Sequence, residues 1–167
     1  MTEGDGGKLT EAWKYLTGGT VWGVCCAQSG EPVYCGSGDK GIYCFEKDGA
    51  IAWKFDTNGP VFRVATTATG DMVVAGSKDG NIYLLDRNGL LLWNHTTTGQ
   101  VLAVSIVSDG SIILAGSTDK YVYCFDKEGT MLWRCDMKSP VRSVAISDNQ
   151  EMILVSSFNN LLTCLNR

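Results

Sequence analysis

Histidine is almost absent from this sequence, which holds one in 167 residues (His95), and proline occurs only three times. A single imidazole removes the commonest general base and most metal sites from consideration. Nor does any apolar run approach the roughly 18–20 residues of a membrane-spanning helix. Positive charge is also short: 14 Lys and Arg stand against 18 Asp and Glu, a net charge of −4, which argues against a nucleic-acid binder. The seven cysteines include no Cys-x-x-Cys pair, so they outline neither a zinc site nor a dithiol redox motif. No nucleophile–base pair, phosphate loop or paired acid stands out. The expectation is therefore a protein that is not an enzyme and holds no cofactor or metal. Residues 1–8 are polar and Gly-rich, without the apolar stretch of a signal peptide. They are expected to be a disordered tail, and the protein is expected to be cytoplasmic.

What the chain has is a repeat. Residues 20–59, 60–99 and 100–139 align without insertion or deletion, and 140–167 begins a fourth copy. Val21, Val61, Val101 and Val141 fall at one position, and Val24, Val64, Val104 and Val144 at another. Trp53, Trp93 and Trp133 also align, with Trp13 one period of 40 earlier. A period of about 40 with four short β-rich runs is that of a β-propeller blade. In the second copy the runs are 61–66, 72–76, 81–86 and 90–95, parted by Thr69-Gly70-Asp71, Lys78-Asp79-Gly80 and Arg87-Asn88-Gly89. Such clusters make hairpin turns, because Gly and Asn tolerate positive φ.

The fold class expected is thus all-β: a propeller over 9–167 with four 40-residue, four-stranded antiparallel blades. The last copy stops before its fourth strand, while Leu9–Leu16 reads as a fourth strand without the three before it. The expectation is that 9–19 completes the last blade, leaving no free sheet edge. Two closures fit equally: a four-bladed monomer, or an eight-bladed homodimer formed by N-terminal strand exchange.

The cysteines fit small apolar slots of the repeat. Cys25 aligns with Ala65, Ser105 and Ala145; Cys35 with Ala75, Ala115 and Val155; Cys44, Cys124 and Cys164 with Leu84. Free cysteine packs as a small hydrophobe, which suits a reducing compartment.

Three segments share an apolar residue, an acid, two variable residues, Gly and then Trp: Phe45-Glu46-Lys47-Asp48-Gly49…Trp53, Leu85-Asp86-Arg87-Asn88-Gly89…Trp93 and Phe125-Asp126-Lys127-Glu128-Gly129…Trp133. This resembles the tryptophan-docking motif of PQQ-like (quinoprotein-type) propeller repeats. The Val-x-x-Val…Ala-Gly-Ser…Asp-Gly portion equally resembles WD-type repeats. The resemblance implies the propeller fold and blade-to-blade docking by Trp13, Trp53, Trp93 and Trp133. It leaves function open, because such folds carry enzymes and scaffolds alike. Some quinoprotein dehydrogenases of this type hold a vicinal disulfide against their cofactor. The adjacent Cys25-Cys26 is a weak match, since neighbours on a strand face opposite ways and no acidic calcium cluster accompanies them.

Candidate binding residues lie where the copies disagree. After the first aligned valine stand Trp22, Phe62, Leu102 and Arg142, with Arg63 and Phe158 nearby. In a propeller these positions flank the central opening, and exposed aromatics and Arg are common interface anchors. Packing between blades would equally account for Trp22 and Phe62. The aligned Asp39, Asp79 and Asp119, with Asn159, form a second candidate ring, for which a turn role suffices. His95, on an outer strand, is expected at the surface. The leading functional expectation is a protein-interaction or assembly scaffold whose unidentified protein partner contacts the rim. The alternatives are a ligand- or quinone-dependent enzyme module completed by dimerisation, and a half-propeller fragment without a function of its own.

Overall fold

A computed structural model describes residues 10–166, so the tail proposed for residues 1–8 lies outside the described residues. Fifteen strands account for its regular structure. The first sheet holds β1 (Val21–Cys26), β2 (Val33–Ser37), β3 (Gly41–Phe45) and β4 (Ile51–Asp56). The second holds β5 (Val61–Thr66), β6 (Met72–Ser77), β7 (Asn81–Asp86) and β8 (Leu91–Thr96). The third holds β9 (Val101–Ile106), β10 (Ile113–Ser117), β11 (Tyr121–Phe125) and β12 (Met131–Asp136). The fourth holds β13 (Val141–Ile146), β14 (Met152–Ser157) and β15 (Leu162–Asn166). Each sheet is an antiparallel meander, one per repeat, in sequence order.

The sheets stack face to face, and each junction is one apolar cluster. Val61 and Val64 of the second sheet pack on Tyr34, Ile42 and Cys44 of the first. Val101 and Val104 meet Val74, Ile82 and Leu84, and Val141 and Val144 meet Leu114, Val122 and Cys124. Burying each such side chain stabilises by about 1.5–3 kcal/mol, so these aligned positions carry much of the fold. The junctions are close. A Cβ added at Gly36, Gly76 or Gly116 would come within 2.5, 2.7 or 2.4 Å of the facing valine Cγ1. Glycine is what lets the next blade approach.

The tryptophans dock as their motif implies. The Trp53 indole N–H donates to the Arg87 carbonyl at 2.8 Å, and that of Trp93 to Lys127 at 3.0 Å. Trp13 does the same to Lys47 at 3.1 Å and packs on Phe45, with ring centroids 5.5 Å apart. Trp133 packs against the cluster shared by the third and fourth sheets.

Pairing of the N-terminal segment with the last blade is not seen within the single chain. The last sheet has three strands, and residues 10–19 form no strand beside β15. A ladder needs its partner within hydrogen-bonding reach, about 4.8 Å between strands. Here the Trp13 segment lies against the first sheet. The innermost strands β1, β5, β9 and β13 contact one another in series, but no comparable contact joins β13 back to β1. The described residues therefore form an all-β, propeller-like row of four sheets whose two end faces stay open.

Candidate functional site

The innermost strand of every sheet carries a β-bulge at the same place. Val21 and Gly23 oppose the consecutive Ser37 and Gly36, leaving Trp22 unpaired. The same irregularity leaves Phe62, Leu102 and Arg142 without ladder partners. A bulge inserts one residue and re-aims its side chain. All four extra side chains line one cavity of about 510 Å³, together with Arg63, Gln100, Thr118 and Phe158. All four sheets or the loops before them contribute to it. Trp22 and Phe62 meet edge to face, with centroids 6.0 Å apart and planes at 80°. Trp22 and Phe158 are more than half exposed, at 55% and 58%. Packing between blades therefore does not consume them.

The lining of this cavity joins aromatic and cationic side chains. Two guanidiniums, Arg63 and Arg142, line it and no carboxylate does. Neither makes an ion pair among the described residues. The chain carries a net charge of −4, so the cavity is a cationic and aromatic spot on an acidic protein. An acidic group beside an apolar side chain is the ligand such a surface attracts.

Of the nine rim candidates, Trp22, Phe62, Arg63, Leu102, Arg142 and Phe158 come together here, while Asp39, Asp79 and Asp119 do not line the cavity. The aspartates are staples between consecutive repeats. Asp79 accepts from the Asn58 amide at 3.0 Å, the Asn81 amide at 2.8 Å and the Tyr83 hydroxyl at 2.8 Å. Asp39 accepts from Gly18, Gly41 and Tyr43, and Asp119 from Thr98, Tyr121 and Tyr123, in the same pattern. Burial by itself would raise the Asp39 carboxyl. The bonds from Tyr43, Gly41, Gly18 and Ser37 outweigh it and hold the group below its ordinary value. The facing phenols rise, first through burial and then through the aspartate beside them; Tyr43 and Tyr83 reach about 12. A side chain saturated in this way has little left for a partner. Asp79 does border a neighbouring hollow with Lys78, Thr97 and Thr98.

Two cavity residues escaped the sequence reading, Gln100 and Thr118. Both sit where the repeats disagree: Gln100 aligns with Thr20, Pro60 and Pro140, and Thr118 with Gly38, Lys78 and Phe158. The disagreement that selected Trp22 could have selected them. His95 departs from expectation in the other direction. It is half-buried against Tyr123 and Phe125, with centroids 5.7 and 4.9 Å away, and so belongs to the junction of the second and third sheets. Cys25 and Cys26 are both free thiols. Burial, with smaller contributions from Cys26 and Cys35, pushes Cys25 up to about 12, which keeps it protonated and poorly nucleophilic at neutral pH.

The family relationship agrees with this architecture. No curated protein matches the chain. A family model described as outer membrane protein assembly factor BamB, built on PQQ-like repeats, matches residues 3–118, more than half of the sequence. With the 40-residue blades and the docked tryptophans, this means that the chain belongs to the PQQ-like repeat family.

Proposed function

We propose that the protein is a non-catalytic interaction scaffold, and that its rim cavity holds an acidic, aromatic- or leucine-bearing segment of a partner protein. One observation carries the reading: bulges at one aligned position in four repeats turn Trp22, Phe62, Leu102 and Arg142 into a single cavity with two unpaired arginines. Each repeat keeps the bulge for geometry yet varies the residue in it, so the surface is specific while the scaffold is constant. Aromatic and Arg side chains in one desolvatable hollow are the usual energetic centre of an interface. The assembly-factor description of the matched family is of the same kind.

The test uses fluorescein-labelled 12-residue peptides carrying one Trp or Leu among Glu and Asp, with Lys-substituted counterparts, followed by anisotropy. The acidic set is expected to bind and the basic set not. Replacing Trp22, Phe62 and Arg142 together by alanine is expected to abolish binding while leaving the β-sheet circular dichroism unchanged. Binding that survives the triple change, or that prefers the basic set, refutes the proposal.

A further inference from the structure

The two open end faces of the row are the two halves of one junction. Val61, Val101 and Val141 are fully buried, and Val64, Val104 and Val144 are 3–7% exposed, because each packs on the preceding sheet. The equivalent Val21 and Val24 are 44% and 68% exposed. At the other end, Leu154 and Leu162 are 38% and 73% exposed, although Leu114 and Val122, at the same positions one repeat earlier, are fully buried. Cys164 is exposed where Cys44 and Cys124 are buried. One end thus lacks the surface that receives its valines, and the other is that surface without its valines.

A sheet edge is open as well. β4, β8 and β12 each cover the third strand of their sheet, while β15 has no such partner among the described residues. The segment at residues 10–16, which carries Trp13 in the repeat position of Trp53, is already docked by its indole on the first sheet. Its backbone makes no strand. It therefore sits where the outer strand of a preceding blade belongs.

We infer that a second copy of this chain completes the structure. Two chains would join head to tail in a closed eight-bladed ring, each lending its Trp13 segment as the fourth strand of the other's last sheet. The register follows from β3 and β4, where Cys44 opposes Trp53, Tyr43 opposes Lys54 and Ile42 opposes Phe55. Carried over, Cys164 opposes Trp13 of the second copy, Thr163 opposes Lys14 and Leu162 opposes Tyr15. The occupant is a second copy because the new junction continues one that the chain already makes three times. Ser156 is the one local departure. It stands where Gly36, Gly76 and Gly116 admit the next valine, so this junction is looser than the internal three. None of these residues lines the rim cavity, so the inference is independent of the proposed function.

Light scattering on a size-exclusion column is expected to give twice the chain mass of 18.0 kDa. Val24→Asp and Leu162→Asp each place a charge in the new junction. Since both sites are exposed in the single chain, the variants keep their fold. Each is expected to weaken association by more than about a hundredfold, because an unpaired charge is costly to bury. Lys14→Cys with Thr163→Cys, oxidised, is expected to give a band of two chains on a non-reducing gel that neither single variant gives. A single-chain mass, a mass above two chains, or a cross-link confined within one chain would overturn the inference.

Discussion

Replacing Gly89 by alanine tests whether tryptophan docking holds the blades together. Gly89 has φ +81°, and a Cβ there would lie 2.8 Å from Trp53 Cδ2 and 3.0 Å from Cγ. The left-handed backbone costs about 1–2 kcal/mol for a non-glycine residue. Displacing a packed indole adds about 1–3 kcal/mol. Losing its 2.8 Å bond to Arg87 adds about 1 kcal/mol more. The total is about 3–6 kcal/mol, or a fall in Tm of roughly 6–24 °C for a chain of this length. Gly30 supplies the internal control. It has φ +90°, but nothing lies within 4 Å of its would-be Cβ, so Gly30→Ala should cost only the backbone part. Urea unfolding followed by circular dichroism measures both variants. Adding Trp53→Ala closes a double-mutant cycle, in which the extra cost of Gly89→Ala should vanish, a coupling of about 2–4 kcal/mol. If Gly89→Ala costs no more than Gly30→Ala, or costs the same without Trp53, the docking argument is wrong.

Two further predictions rest on the staples and the thiols. Because the folded-state Asp39 carboxyl lies below its ordinary value, its stabilisation is fully present above about pH 4 and is lost as pH falls through the lower folded value. Urea midpoints of wild type and Asp39→Asn should therefore differ most at neutral pH and converge in acid; a gap that does not change with pH would contradict this. Brief iodoacetamide labelling at pH 8 with peptide mass spectrometry should modify the exposed Cys26 readily. It should spare Cys35 and Cys44, which are buried and pushed up to about 11, mainly by that burial. Cys164 should label only when the copies are separated, and equal labelling in the assembled and dissociated protein would count against strand exchange.

Much of this molecule is written in the repeat. Four valine pairs 40 residues apart, Gly-bearing turns between β-rich runs and a tryptophan four residues after a turn glycine determine strands, sheets and junctions locally. Each blade needs only its own 40 residues and a neighbour of the same kind. That Trp22, Phe62, Leu102 and Arg142 stand at one aligned position was also legible, because side chains that vary at an invariant position are free of the packing that fixes the rest. The β-bulge was not legible: Val21-Trp22-Gly23 and Val61-Phe62-Arg63 share no sequence mark for an inserted residue, and only the strand register shows it. The fate of Asp39, Asp79 and Asp119 was likewise a tertiary matter. An aspartate in a turn has the same sequence whether it faces a ligand or accepts an amide from the preceding repeat, 21 residues earlier. Ring closure depends on the angle between successive blades. That angle is the sum of small packing displacements at each junction, and no single residue encodes it. Composition and spacing therefore determined what a blade is, and the tertiary structure decided where the blades stop meeting one another.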